Sequence, residues 1–142
     1  MDIRISSDRA DIDLDLVHGY LSREAYWCPG IPRAVVERAV AGSLCFSVLL
    51  DGKQVGFARV VTDGATFGYL ADVFILSPHR GQGLSKRLME HILAHPQLQG
   101  LRRFCLATAD AHALYAQYGF TALAKPERYM ERYRPDAYLG QS

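Results

Sequence analysis

The chain has 142 residues, 49% of them hydrophobic and 22% charged, and its formal net charge is +1 at pH 7. These values are ordinary for a globular protein, and the length suffices for a substantial core, so a single domain is expected over residues 1–142. A net charge this close to zero gives no general attraction to nucleic acid or to a membrane surface, and neither is expected as a partner.

The cysteines and the N-terminal segment bear on the cellular compartment. Cys28, Cys45 and Cys105 are odd in number and far apart, and no Cys-x-x-Cys or histidine-rich spacing suggests a metal. Reduced thiols and no metal site are therefore expected. Residues 1–13 are too polar for a signal peptide, and no apolar run reaches the length of a membrane span. These features together predict a cytoplasmic protein.

An edge strand and two helices are predicted in the first third of the chain. Ile3 and Ile5 alternate with polar residues, which is the pattern of a half-buried strand. Apolar residues then recur at helical spacing over residues 11–25, after an aspartate-rich start that suits the helix dipole. A Pro-Gly-Ile-Pro sequence ends this helix, and a second helix is predicted over residues 31–41, with Pro32 near its first turn.

Three consecutive strands follow, and Asp-Gly turns separate them. In chain order, the predicted strands and turns cover residues 43–50, 51–52, 54–62, 63–64 and 66–76. Connections this short make the three strands an antiparallel meander. The third strand carries one carboxylate, Asp72, which strict alternation places on the same face as Leu70, Phe74 and Leu76.

The remainder of the chain alternates helices and strands. From Leu84 onward the predicted elements are a helix closed by Pro96, a strand over residues 101–108, a helix over residues 109–118 and a hairpin of residues 121–124 and 129–133. Asp110 is expected to cap the shorter helix. Residues 134–142 are expected to be poorly ordered.

The loop between the third strand and the following helix carries the clearest functional signal. The first N–H groups of a helix have no partner inside it, and the helix dipole adds partial positive charge there. Gly81 and Gly83 have no Cβ, so a phosphate can approach the loop backbone closely. A diphosphate is the natural ligand of such a loop, with Arg80, Lys86 and Arg87 as nearby cations.

Three kinds of glycine loop can be compared with this one. A P-loop needs Gly-Lys-Ser/Thr at the helix start, where this chain has Gly83, Leu84 and Ser85. A dinucleotide-binding loop needs a third glycine where Lys86 stands, and an acidic residue about 20 positions later, which is absent. The pattern Arg-x-x-Gly-x-Gly/Ala fits Arg80 and Gly83, with Ser85 in place of the last small residue. For the loop taken alone, a turn that merely caps the helix remains the alternative.

A second motif follows after a predicted strand. Leu114, Tyr115, Gly119 and Phe120 match the order and spacing Leu-Tyr-x-x-x-Gly-Phe. With the Arg-x-x-Gly loop, this motif resembles the GCN5-related N-acetyltransferase (GNAT) family, and the resemblance covers roughly residues 48–120. It implies an α+β fold, with a mixed, mostly antiparallel central sheet and helices on both faces, and acetyl-CoA as co-substrate.

The resemblance also implies where acetyl-CoA is held. In this family the loop N–H groups bind the diphosphate, and the main chain of the central strand binds the pantetheine and the acyl carbonyl. The matching positions here are Phe74, Ile75, Leu76, Arg80, Gly81, Gln82, Gly83, Leu84, Ser85 and Lys86.

Two residues are candidates for proton transfer. Tyr115 matches the family position that protonates the departing CoA sulfur, and a phenol of pKa about 10 can donate to a thiolate whose thiol has a pKa near 8.5. Asp72 is the candidate base, because many family members carry a carboxylate on this strand and an unpartnered carboxylate is costly to bury. Alternatively, Tyr115 only packs beside Phe120 and Asp72 bonds a backbone group or Arg59. His112 is a weaker candidate base.

Tyr26 and Trp27 lie at the break between the first two helices, which borders the acceptor pocket in this family. Their alternative role is packing over a core edge.

The implied activity is transfer of an acetyl group from acetyl-CoA to a primary amine of a small molecule or to an exposed amino group, by direct attack in a ternary complex. A catalytically silent acyl-CoA-binding regulatory module is the alternative function, and the missing loop residues argue against a nucleotide-binding regulator. Expected partners are a small-molecule amine and, as in many relatives, a second copy in a homodimer.

Overall fold

The structure is a computed structural model, and it describes residues 2–139. The strands of this part are β1 Ile3–Ser6, β2 Leu44–Leu50, β3 Lys53–Thr62, β4 Phe67–Ile75 and β5 Arg103–Leu106. Its α-helices are α1 Leu14–Arg23, α2 Arg33–Ala41, α3 Leu84–Ala94 and α4 His112–Ala116. Within the same residues, no helix is long and apolar enough to cross a membrane.

The five strands form one sheet in the order β1-β2-β3-β4-β5. β1 to β4 pair antiparallel with their neighbours, and only β5 pairs parallel, with β4. The parallel pair is possible because α3 lies between the two strands in sequence and returns the chain to the same end of the sheet. The predicted meander and the mixed, mostly antiparallel sheet are confirmed.

Helices cover both faces of the sheet, as predicted. α3 packs Leu88 and Ile92 on one face, where they join a core with Phe46 and Val60 of the strands. α1 and α2 pack on the other face, where Val17, Leu21 and Val36 form a second core with Phe57 and Phe74 of the strands. Each large apolar side chain buried in this way contributes about 1.5–3 kcal/mol.

The central strand β4 contains a β-bulge at Asp72. Arg59 pairs with Ala71 and Phe57 with Phe74, so β4 has one more residue than β3 over this stretch. The backbone of Asp72 is in the left-handed conformation, with φ 55°. The extra residue shifts the alternation, so the prediction that Leu70 and Phe74 share a face is wrong: they belong to the cores on opposite faces.

The chain after Phe120 differs from the sequence-based expectation. The predicted hairpin of residues 121–124 and 129–133 does not form, because neither segment pairs as a strand and every residue from 121 to 136 is exposed. In the segment from residue 134 onward, which was expected to be poorly ordered, residues 135–139 form turns, and Tyr138 packs against the core beneath α1 and α2. Residues 140–142 lie outside the described part.

Helix capping follows local side-chain chemistry. The Asp13 side chain accepts from Leu16 N at 3.1 Å and begins α1, three residues after the predicted start. Asp110 does not cap α4, which begins at His112 without a side-chain cap. The Thr108 hydroxyl instead accepts from Ala111 N at 3.1 Å and orders the turn before α4.

Candidate active site

The site is built where β4 and β5 stop pairing. The parallel ladder ends at Leu70 and Leu106, while β4 continues to Ile75 and β5 does not. The β5-facing edge of β4 is therefore free of a strand partner from Ala71 onward. A cavity of about 500 Å³ opens at this point, and residues of β4, of the α1–α2 loop, of the segment after β5 and of the C-terminal segment line it.

Tyr26 and Trp27 place the α1–α2 loop across this opening. The Trp27 indole N–H donates to Asp72 Oδ1 at 2.8 Å, and the Tyr26 hydroxyl accepts from Ala109 N at 3.1 Å. The two rings meet edge to face, with centroids 5.1 Å apart. Both rings line the cavity and are 59% and 40% exposed, respectively, so they keep large surfaces available to a ligand.

Asp72 lies in the wall of the cavity with both carboxylate oxygens engaged. Oδ2 accepts from Arg59 Nε at 2.5 Å, and Oδ1 accepts from Trp27. Arg59 also donates from Nη1 to the Ser43 hydroxyl at 3.2 Å. The ion pair is largely sheltered, with 21% of the Arg59 side chain and 9% of the Asp72 side chain exposed. This part of the cavity wall is therefore formally neutral.

Tyr115, on α4, closes the cavity from the β5 side. It is 8% exposed and its ring lies edge to face with Phe120, 6.0 Å between centroids. Burial raises the pKa of the Tyr115 hydroxyl, with smaller contributions in the same direction from Tyr26 and Asp110. The phenol therefore keeps its proton at neutral pH, as a proton donor must. Tyr115 also lines a larger cavity of about 910 Å³ beside β5, which includes neither Asp72 nor the glycine loop.

The glycine loop fits an anionic ligand. Gly81 and Gly83 have φ of 80° and 76°, a conformation that favours glycine, and a Cβ at either position would meet no atom within 4 Å. Gly83 begins α3 without a side-chain cap, so the first N–H groups of the helix are left for a ligand. Gln82 and Lys86 are exposed, and Ser85 is half-buried. The Leu84 side chain is 2% exposed and belongs to the core.

The remaining residues expected around acetyl-CoA are partly engaged within the chain. Arg80 donates from Nε to Ile75 O at 2.9 Å and from Nη2 to the Tyr20 hydroxyl at 2.9 Å. Leu76 N donates to Val55 O at 2.9 Å, so this N–H belongs to the pairing of β4 with β3. The Phe74 ring stacks on Tyr20, 4.0 Å between centroids.

The structure thus brings Tyr26, Trp27, Asp72 and Tyr115 to one cavity and leaves the glycine loop beyond the end of the same strand. His112 lines only the larger of the two cavities. Sequence reasoning named Arg59 only as a possible partner of Asp72, although an arginine inside an apolar strand is itself a signal. It also missed the C-terminal wall, where Tyr133 and Tyr138 line the cavity, because no local pattern links them to this site.

The chain is similar to known proteins in sequence and in fold. The acetyltransferase (GNAT) domain family matches residues 41–122. A presumptive GNAT-family acetyltransferase from Xanthomonas campestris pv. campestris has 53% sequence identity and a TM-score of 0.95, with 98% of each chain covered. A presumptive acetyltransferase from Gibberella zeae is 31% identical over 138 residues, which covers 82% of this chain and 77% of that protein.

A more distant structure shares the fold. It is a presumptive acetyltransferase from Clostridium acetobutylicum, determined with acetyl-CoA, with 16% identity, a TM-score of 0.67, and 93% of this chain and 95% of that chain covered. The family match spans more than half of this chain and includes β4, the glycine loop, α3 and Tyr115. The chain therefore belongs to the GNAT family and is an acetyl-CoA-dependent acetyltransferase.

Proposed function

We propose that this protein is an N-acetyltransferase that moves an acetyl group from acetyl-CoA to a primary amine, by direct attack in a ternary complex. The observation that carries the proposal is the single cavity at the end of the β4–β5 ladder, which Asp72, Tyr115 and the two rings of the α1–α2 loop all line. The proposed catalytic unit is one domain over residues 1–142, acting in the cytoplasm.

The donor would lie along β4 with its diphosphate on the glycine loop. The open backbone from Gly81 to Ser85 supplies N–H groups without a side-chain cap, and the exposed Lys86 adds a cation. Beyond Leu70 the free edge of β4 offers main-chain groups to the pantetheine and the acyl carbonyl. Arg80 would support this site by holding the carbonyl of Ile75 rather than by contacting phosphate alone.

The proposed chemistry needs a proton acceptor for the amine and a donor for the thiolate. Asp72 would draw the proton from the amine, and Tyr115 would give its proton to the departing sulfur. With a pKa above the usual value, the Tyr115 phenol stays protonated through the ordinary working range, as the second role requires.

Cys28 supports direct attack over a covalent acetyl-cysteine intermediate. It also lines the cavity, but burial, and to a smaller degree the charge of Asp72, raise the pKa of its thiol to about 12. The reactive form of cysteine is the thiolate, which is scarce at neutral pH with such a pKa. Its Sγ donates to Leu21 O at 3.4 Å, which also directs the thiol into the core.

The acceptor would be a compact amine with an aromatic or cationic body. The cavity holds about 500 Å³ and is lined by tyrosine and tryptophan rings beside a neutral ion pair, which offers stacking and cation–π contacts but no excess charge. The expected homodimer remains a further proposal.

The test is a binding and turnover experiment. Isothermal titration with CoA, ATP and NAD should show binding of CoA alone, and a panel of amines with acetyl-CoA should release free thiol. Binding of CoA without thiol release for any amine would favour a silent acyl-CoA-binding module, and absence of CoA binding would refute both functions.

A further inference from the structure

The residue at the bulge of β4 has a backbone conformation that its side chain must stabilise. Asp72 has φ 55°, and it is one of only two residues other than glycine with positive φ among residues 2–139. The other, Asp51, lies in an exposed Asp-Gly hairpin turn, where such a conformation is common. In a strand it is unfavourable for a residue with a Cβ, and it persists only when the surroundings enforce it.

Two side chains from different elements donate to the Asp72 carboxylate. Arg59 lies on β3, where it pairs with Ala71 immediately before the bulge, and its guanidinium bridges Asp72 and Ser43. Trp27 approaches from the α1–α2 loop and donates to the second carboxylate oxygen. The carboxylate is thus held between β3 and the α1–α2 loop.

The conformation at Asp72 determines what the next residues of β4 present to the cavity. The extra residue reverses the alternation, so that Phe74 faces Tyr20 of α1 while Ile75 faces the core beneath α3. This reversal occurs just after the last residue of β4 that pairs with β5. The residues Ala71, Asp72 and Val73 line the cavity there.

From these contacts we propose that Arg59 and Trp27 are positioning residues, which hold Asp72 in the left-handed conformation and thereby set the main chain of residues 71–73 in the cavity wall. Arg59 also lines the cavity, and in this role it acts through its contact with Asp72. The kinetic consequence rests on the proposed acetyl transfer, whereas the backbone conformation does not.

The first experiment measures the backbone directly. The three-bond HN–Hα coupling of residue 72 reports its φ in solution, and it should change in Arg59→Met and keep its wild-type value in Arg33→Met. Arg33 is a matched control, because it also loses ion pairs, with Asp15 and Glu37, but on the exposed surface of α2.

A double-mutant cycle separates this role from general packing. Glycine adopts φ 55° without help from a side chain, so Asp72→Gly should retain the bulge and make Arg59 dispensable for it. Arg59→Met should therefore alter the amide shifts of Ala71 and Val73 strongly in the wild-type background and weakly in the Asp72→Gly background. Equal changes in both backgrounds would overturn the proposal.

A third experiment measures the acetyltransferase activity of Arg59 variants. Arg59→Met should lower kcat by about 10²-fold, because it displaces the main chain of residues 71–73 in the cavity wall. Arg59→Lys should recover part of kcat, because it keeps the charge beside Asp72. Wild-type coupling and kcat in Arg59→Met would refute the role of Arg59.

Two further outcomes are also decisive. If Arg59→Met does not fold, Trp27→Phe must show the change at residue 72, because it removes the N–H donor to Asp72 and keeps an aromatic ring. An unchanged coupling there refutes the proposal. If the wild-type protein fails to bind acetyl-CoA, the proposed function falls, and the coupling measurements still decide whether Arg59 and Trp27 hold the bulge.

Discussion

Arg80 and Tyr20 are joined by a hydrogen bond of 2.9 Å from the guanidinium Nη2 to the phenol oxygen, which ties α1 to the start of the glycine loop. Tyr20 is 8% exposed and stacks on Phe74, so the bond has a fixed geometry. Tyr20→Phe should keep the stacking and lower the free energy of unfolding by about 1 kcal/mol, measured in urea. Tyr133→Phe, at a ring that is 69% exposed, is the control and should change stability little. Equal stability of both variants and the wild type would show that the bond contributes nothing.

Gly83→Val should abolish tight binding of CoA. The valine side chain would enter the open space where a diphosphate must approach, and it would strain a residue with φ 76°. Gly64→Val is the matched control, because Gly64 has φ 73°, also with no atom within 4 Å of a Cβ, in the turn between β3 and β4. Titration calorimetry should show weak CoA binding for Gly83→Val alone, while both variants lose similar stability. An unchanged CoA Kd in a folded Gly83→Val protein would count against placing the diphosphate here.

Tyr115→Phe should keep the fold and the CoA affinity and lose rate. The ring remains beside Phe120, and only the hydroxyl is removed, so kcat should fall by roughly 10²–10⁴-fold if proton donation limits the reaction. Because the pKa of Tyr115 is raised above its usual value near 10, its loss of a proton should not depress wild-type kcat below about pH 10. Tyr118→Phe removes a hydroxyl bonded to Lys86 O and should leave kcat near wild type. A wild-type kcat together with an unaltered pH profile in Tyr115→Phe would show that this residue only packs.

Trp27→Ala should raise the acceptor KM more than the acetyl-CoA KM. It removes a ring that lines the cavity and also the donor to Asp72 Oδ1. Trp27→Phe removes the donor and keeps an aromatic surface. Comparing it with Trp27→Ala therefore separates the effect of losing contact with the acceptor from the effect of losing the hydrogen bond to Asp72. If acceptor binding depends on the ring, Trp27→Phe should show a smaller rise in acceptor KM than Trp27→Ala. Equal effects on both KM values would assign the ring to packing.

Asp63 should make the β3–β4 turn sensitive to acid. Its carboxylate accepts from the N–H groups of Ala65, Thr66 and Phe67 and from the Thr66 hydroxyl, and these bonds, with the Thr66 side chain first, lower its pKa below the ordinary 3.8. A lowered folded-state pKa gives stability that is complete above the unfolded pKa and is lost as the pH falls through the folded value. Asp63→Ala should therefore differ most from the wild type above about pH 5, and the gap should close as acid is added. A gap independent of pH in urea unfolding would contradict this account.

Local patterns predicted most of the elements. Helical spacing, the aspartate-rich start of α1 and the Asp-Gly turns depend on residues close in sequence, so the meander, α3 and the glycine loop were predicted correctly. The hairpin after Phe120 was not, because residues 121–133 have strand-like patterns, yet a strand forms only where a partner edge is available.

The sequence by itself determined the family, through the Arg80-to-Ser85 loop and the Leu114-to-Phe120 motif, since both depend on spacing within one segment. Only the tertiary structure decided the environment of Asp72. Its partners Arg59 and Trp27 are 13 and 45 residues away in sequence, and the bulge reverses the alternation that strand periodicity assumes. Which side chains meet at the cavity depends on how strands, loop and C-terminal segment pack together, and that arrangement is a balance of contacts between distant residues that no local pattern contains.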